Sequence, residues 1–259
     1  MPSDSTVRRV VVTGAAAGIG RAIATKLAAE GERVMVNDLD ADAVHALAHE
    51  IGAIAAPGDA ASPEGAGGLV DTANEWLGGV DVWFGNAGID RGRGLAASEE
   101  DWTDSWEVNT MAHVRAARAL VPQWLEQGGG RYVVTASAAG MLTMLGAPAY
   151  SATKHATIGF AEWLSATYRD KGIVVQAICP QGVRTRIYEE SGDLKEVLSH
   201  DAVLEPSDIA DAVWDALSGE DFYVLPHERV RDYYVARATS PDRWLAGMNK
   251  IQQSLEARS

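Results

Sequence analysis

Seven short apolar runs separated by stretches of helical periodicity place the strongest constraint on what this chain of 259 residues can fold into. The runs are Val10 to Val12, Arg33 to Val36, Ala53 to Ala56, Val80 to Phe84, Tyr132 to Thr135, Val174 to Ile178 and Phe222 to Leu225. Such alternation specifies βαβ units, and so an α/β fold with a doubly wound parallel sheet of about seven strands covered by helices on both faces. No linker or repeat interrupts it. The glycine patches at Gly65 to Gly68 and Gly128 to Gly130 are short enough to be connections. One domain is therefore expected over residues 1–259, with 227–259 a C-terminal tail beyond the core pattern.

Between the first run and the first helix lies Thr13-Gly14-Ala15-Ala16-Ala17-Gly18-Ile19-Gly20, a turn almost without side chains. Ile23, Leu27 and Ala28 then recur at helical spacing until Gly31 closes the helix. A helix N-terminus offers unpaired N–H groups and partial positive charge, and glycine lets the backbone approach a pyrophosphate that a Cβ would keep away. The spacing Gly14-x3-Gly18-x-Gly20 is a variant of the G-x-G-x-x-G dinucleotide fingerprint. A structural turn without a ligand is the alternative for these eight residues taken alone.

Composition narrows the partners. A net charge of -14, from 22 basic and 36 acidic residues, argues against nucleic acid or an anionic membrane, which need a positive field. Cys179 is the single cysteine, so no internal disulfide forms, and a buried strand residue outweighs a reactive thiol there. There is no apolar run of about 18 residues to span a bilayer, and the first six residues are too polar for a signal peptide. A cytoplasmic protein acting on a small molecule, without metal, is expected.

Asp38 ends the second strand, 18 residues past Gly20, about where an acid accepts hydrogen bonds from an adenosine ribose. Its charge also repels the 2′-phosphate of NADP, and Ala15, Ala16 and Ala17 offer no cation, so NAD is favoured. Asp59 follows the third strand and Asn86-Ala87-Gly88 the fourth, positions that meet the glycine turn at the carboxyl edge of such a sheet. Turn chemistry alone accounts equally well for both. A long helix is expected from Glu99 to Val121 with Asn109 inside it, and Ser137 stands just past the fifth strand. Tyr150-Ser151-Ala152-Thr153-Lys154 puts a phenol and an ammonium four residues apart on one helix face. A nearby cation favours the phenolate, and such a pair can move a proton to or from an alcohol oxygen, an ordinary amphipathic helix being the alternative for this spacing taken alone.

Taken together, Thr13-Gly14-x3-Gly18-Ile19-Gly20, Asn86-Ala87-Gly88, Asn109, Ser137 and Tyr150-x3-Lys154 resemble the short-chain dehydrogenase/reductase family in its short single-domain branch, over roughly residues 7 to 226. The resemblance implies a Rossmann-type sheet, NAD as cofactor and a catalytic tetrad of Asn109, Ser137, Tyr150 and Lys154. Tyr150 is then the general acid or base, and Ser137 the hydrogen-bond partner of the substrate oxygen. Lys154 lowers the phenol pKa and binds the nicotinamide ribose, and Asn109 holds a water in the proton relay. It further implies cofactor contacts from Gly14, Gly18, Ile19, Gly20, Asp38, Asp59 at adenine, Asn86, Ala87, Gly88, Tyr150, Lys154, Pro180, and Val183 and Thr185 at the nicotinamide amide. The implied activity is interconversion of a secondary alcohol and a ketone by hydride transfer, and the implied assembly is a homotetramer.

Two departures stand out. Gly85 replaces the family's asparagine before Asn-Ala-Gly, with local loss of hydrogen bonds expected, and Gln181 replaces the glycine after Pro180, adding a side chain near the nicotinamide face. Met141-Leu142-Thr143-Met144-Leu145 offers an apolar substrate wall or core packing, and Arg91 and Arg93 an anion contact or a solvated rim pair. The segment Arg186 to Leu204, with Tyr188, reads as a mobile lid. In the tail, Pro241-Asp242 starts a helix on which Trp244, Met248, Ile251 and Leu255 form an apolar stripe. With Tyr233 and Tyr234 it is expected to dock on a neighbouring subunit near its lid, packing on its own subunit's outer face being the alternative. The competing functions are a non-catalytic dinucleotide-binding redox sensor, which has no need of a proton relay, and an epimerase or dehydratase, for whose larger substrate domain no sequence remains.

Overall fold

The structure, a computed structural model, describes residues 7–195, 199 and 201–257. Its seven strands are β1 (Arg9–Thr13), β2 (Arg33–Asn37), β3 (Ile54–Ala55), β4 (Val82–Gly85), β5 (Gly130–Thr135), β6 (Ile173–Ile178) and β7 (Tyr223–Val224). All pair in parallel, in the order β3-β2-β1-β4-β5-β6-β7. Each of the seven apolar runs overlaps one of these strands, with ends displaced by at most two residues. The helices are α1 (Gly18–Ala29), α2 (Ala41–Ile51), α3 (Pro63–Leu77), α4 (Glu99–Trp106), α5 (Ala112–Gln127), α6 (Pro148–Tyr168), α7 (Arg186–Glu189), α8 (Pro206–Ala216), α9 (Arg229–Thr239) and α10 (Pro241–Glu256).

Strand periodicity of two sorts the sheet's side chains into two cores. Val11, Met35, Trp83, Tyr132 and Val134 pack under α3, α5 and α6 through residues such as Leu69, Leu120 and Leu164. Val10, Val12, Val34 and Phe84 pack under α1, α2 and α8 through Leu27, Leu47 and Ile209. Each such buried leucine contributes about 1.5–3 kcal/mol. Trp124 is fully buried because its indole N–H donates to the Val80 carbonyl at 2.7 Å, which satisfies its one polar atom.

Strand order reverses between β1 and β4, so the loops after these two strands open a crevice at the carboxyl edge of the sheet. The glycine turn after β1 and Asn86 after β4 therefore meet: the Asn86 amide donates to the carbonyls of Thr13 at 3.1 Å and Gly14 at 3.0 Å.

The helix expected from Glu99 to Val121 runs further, to Gln127, and is not uniform. A wider π-type turn, Glu107–Met111, separates α4 from α5 and carries Asn109. The segment expected to be a lid holds the short α7 and a single turn at Gly192–Leu194, with the Tyr188 hydroxyl 2.8 Å from that of Ser199. Residues 196–198 and 200 of that segment lie outside the described residues. Among the described residues, no helix is long and apolar enough to cross a membrane.

Candidate active site

The glycine turn is a cradle with no room for side chains. Gly14 has φ +62°, and a Cβ on Gly20 would stand 2.2 Å from the Gly14 carbonyl oxygen and 2.4 Å from the Asn86 amide. At the start of α1, Ala17 supplies no side-chain cap and no acid sits in the first turn, so nothing from the protein competes for its N–H groups. Gly18 and Ile19 form that first turn, and Gly18 lies against the Thr185 methyl. The donor set fits a pyrophosphate. Asp38 reaches the same turn: its carboxylate accepts the Ala16 N–H at 3.0 Å and the Leu39 N–H at 2.8 Å. Asp59 is exposed after β3 and accepts the Ala61 N–H at 2.9 Å.

The Asn86 side chain is hydrogen-bonded within the protein, beside the glycine turn. Its amide holds the Thr13 and Gly14 carbonyls, and its Oδ1 accepts the Thr135 hydroxyl at 3.0 Å, tying three strand ends together. The Ala87 N–H donates to the Thr13 hydroxyl at 3.2 Å. At Gly88 a Cβ would stand 3.3 Å from both Asn109 Oδ1 and Lys154 Nζ.

The structure gathers the four tetrad positions. Asn109 is fully buried; its Oδ1 accepts the Ile89 N–H at 2.9 Å, and its Nδ2 donates to the Ile89 carbonyl at 2.9 Å and the Thr153 hydroxyl at 3.0 Å. Its carbonyl accepts from Thr157 at 2.5 Å. Lys154 is buried, with Nζ donating to the Thr135 carbonyl at 2.7 Å and lying 5.7 Å from the centre of the Tyr150 ring. Tyr150 is hydrogen-bonded to the Ser137 side chain, whose Oγ accepts the Ala139 N–H at 3.1 Å. Pro180 stands next to it, its carbonyl accepting the Ala138 N–H at 2.8 Å.

Burial dominates the electrostatics of the Tyr150 and Lys154 pair. In the protein alone burial pushes the Tyr150 phenol up to about 12, against the downward pull of the Ser137 hydrogen bond, and the same burial pushes Lys154 down to about 8. Desolvation wins because both groups are buried and the ammonium points at the Thr135 carbonyl. Cys179, just past β6, is buried with its thiol pushed up to about 12 by burial, in keeping with a packing residue.

At both departures a histidine from elsewhere in the chain comes close. Where a Cβ of residue 85 would stand, His113 of α5 comes within 2.5 Å, so the missing side chain leaves room for a buried histidine. The Tyr132 hydroxyl donates to the His113 carbonyl at 3.2 Å, and burial pushes His113 down to about 3, keeping it neutral. Its Nε2 is buried without a hydrogen-bond partner among the described residues. Gln181 is held by its N–H, which donates to Nδ1 of His227 at 3.2 Å. Arg91 pairs with Asp104, and Arg93 with Asp90 at 2.9 Å, so both are rim pairs. Spacing carried no sign of His113 or His227, since their partners lie on other elements.

A cavity of about 850 Å³ opens beside Ser137. Leu142, Thr143 and Met144 form one wall, with Gln181 beside them, as expected of that loop. Thr143 holds φ +96°, a conformation that costs a β-branched residue on the order of 1–3 kcal/mol. The opposite wall is the tail: Trp244, Met248, Ile251 and Leu255, the whole apolar stripe, face the cavity from α10, which begins at Pro241 as expected. In the single chain α10 borders this cavity with none of its residues fully buried, while Val230 of α9 is fully buried and Arg237 donates to the Met141 carbonyl.

The model of the short chain dehydrogenase family matches residues 8–195. The chain is 36% identical over 240 residues to 1-deoxy-11-beta-hydroxypentalenate dehydrogenase of Streptomyces exfoliatus, covering 88% of this chain and 87% of that one. It is 31% identical over 232 residues to cyclohexanol dehydrogenase of an Acinetobacter species, covering 86% and 92%. A short-chain dehydrogenase/reductase from Burkholderia phymatum, solved in complex with NAD, superposes with a TM-score of 0.81 at 27% identity over 90% of this chain and 93% of that one.

Proposed function

The chain belongs to the short-chain dehydrogenase/reductase family and is an oxidoreductase of alcohol and ketone groups, and on that premise we propose that it oxidises an apolar secondary alcohol with NAD, using Tyr150 as general base. The observation that carries this reading is the convergence of Ser137, Tyr150 and Lys154, with Ser137 on the wall of a largely apolar cavity. When bound, the nicotinamide supplies the acceptor of the carbinol carbon's electron pair and hydrogen. Ser137 holds the alcohol oxygen, and Tyr150 takes its proton. Lys154, still largely charged at neutral pH, binds the ribose and offsets the phenolate charge. Asn109 positions the helix carrying Tyr150 by bonding Thr153, and its carbonyl retains a lone pair for a relay water. In this reading the protein assembles as a homotetramer, for which the exposed Trp102 and Trp106 on α4 and Trp163 on the adjoining α6 offer an apolar face. NADH absorbance growth with a panel including cyclohexanol is the decisive test; binding of NAD without turnover across the panel rejects the reading.

The proton step sets a pH dependence. Alcohol oxidation needs the phenolate, and burial holds the phenol high, so oxidation rises with pH through the neutral and alkaline range. Ketone reduction needs the protonated phenol, already present at neutral pH, and does not rise. Steady-state kcat/KM measured in both directions separates the two, and a flat oxidation profile counts against Tyr150 as base.

Cofactor choice rests on Asp38. A carboxylate within a few ångström of a 2′-phosphate costs on the order of 1–4 kcal/mol at water-to-surface dielectric. Wild type is therefore expected to use NAD well ahead of NADP, and Asp38→Ala to narrow that preference by roughly tenfold or more in kcat/KM. A wild type that prefers NADP overturns this assignment.

A further inference from the structure

The run from Pro180 to Thr185 joins the two halves of the site. At one end the Pro180 carbonyl accepts the Ala138 N–H at 2.8 Å, beside Ser137, and at the other Thr185 lies against Gly18 of the glycine cradle. From outside, Leu204 holds the middle of the run: its N–H donates to the Gly182 carbonyl at 3.0 Å and its carbonyl accepts the Arg184 N–H at 2.9 Å, which makes a parallel bridge between Val183 and Leu204. Continued by one rung, a parallel ladder would bring the Ala202 carbonyl to the Gly182 N–H. His227 takes that carbonyl instead, with Nε2 at 3.1 Å, while its Nδ1 accepts the Gln181 N–H at 3.2 Å. An N–H only donates and a carbonyl only accepts, so the ring is neutral with its hydrogen on Nε2. Burial favours the same state, since it holds His227 below the usual histidine range. The start of α9 anchors the ring in turn: the His227 carbonyl accepts the Val230 N–H at 3.1 Å, and Arg229 pairs at 2.9 Å with Asp201, next to Ala202. Ala202 and His227 both lie beyond residues 8–195, where the family model matches.

We infer that His227 is a positioning residue for the nicotinamide half of the cofactor: its imidazole stands as a rung between Gln181 and Ala202 and fixes the run that carries Val183 and Thr185. This rests on the reading of the chain as an NAD-dependent dehydrogenase in which Val183 and Thr185 meet the nicotinamide amide. Without the two ring nitrogens the Gln181 N–H and the Ala202 carbonyl lose their partners, and the Leu204 bridge alone ties the run to that side. Asp38 and Gly20, at the adenosine and pyrophosphate end, make no hydrogen bond through His227, so the loss falls on the nicotinamide half.

The test titrates the full-length protein calorimetrically with NAD and with ADP-ribose, which lacks the nicotinamide. His227→Phe keeps a ring of similar bulk and removes both nitrogens; it is expected to weaken NAD about tenfold and to leave ADP-ribose unchanged. His227→Gln, whose amide again offers one acceptor and one donor, should recover most of the NAD affinity. Long-range proton–nitrogen NMR of wild type, which needs no variant to fold, should show the His227 hydrogen on Nε2. Unchanged NAD affinity in His227→Phe, equal weakening of NAD and ADP-ribose, no recovery in His227→Gln, or a hydrogen on Nδ1 overturns the assignment. NAD binding that responds to His227 as expected, without NADH formation from any alcohol, upholds the positioning role and defeats the dehydrogenase reading; NADH formation with NAD bound alike by wild type and His227→Phe does the reverse.

Discussion

Tyr150→Phe is expected to lower kcat by roughly 10²–10⁴-fold, the usual contribution of a positioned proton-transfer group, while NAD still binds. The ring is buried, and phenylalanine keeps that packing, so only the hydroxyl is lost. With it go the proton acceptor and the hydrogen-bond partner of Ser137. Lys154 keeps its bond to the Thr135 carbonyl, which does not depend on the phenol, so the ribose contact proposed for it survives. Turnover by NADH absorbance and NAD binding by calorimetry, measured on the same preparation, separate chemistry from affinity. Activity equal to wild type would falsify the assignment of Tyr150.

Gly20→Ala is expected to abolish dinucleotide binding. A Cβ there would stand 2.2 Å from the Gly14 carbonyl oxygen and 2.4 Å from the Asn86 amide, closer than any real contact, and the first of these atoms is backbone. Relief requires moving either the turn or the amide that also bonds the Thr13 carbonyl and, through Oδ1, Thr135. Overpacking of this kind costs typically 1–3 kcal/mol of stability. The cradle's N–H groups then no longer converge, so affinity falls by about 100-fold or more, whereas Asp38→Ala alters only the choice between cofactors. Calorimetry with NAD, alongside a thermal melt to show that the variant folds, checks this. Wild-type affinity in a folded Gly20→Ala protein would mean that the turn is structural only.

How far the chain could be read before folding depended on the range of each interaction. Strand positions, the alternation of strand with helix and the Tyr150-x3-Lys154 pair are matters of neighbours a few residues apart, and spacing encodes them directly. So is the stripe of Trp244, Met248, Ile251 and Leu255, visible as one face of a helix although nothing local said what it faces. The parallel order of the sheet followed from those units, because crossover connections leave few alternatives. What stayed hidden involves residues far apart in the chain. The Asn86 amide is taken up by carbonyls 72 and 73 residues away, a clamp between strand ends that no local spacing encodes. His113 fills the space over Gly85, and His227 holds the Gln181 backbone from 46 residues away. The balance at Tyr150 is of the same kind: the spacing puts a cation beside the phenol, but only packing sets how much water each group loses, and burial moves the phenol up and the ammonium down. The surroundings of the tail belong here too, because a stripe needs a covering surface without specifying which one, and only the fold shows that in the single chain it borders the cavity beside Ser137.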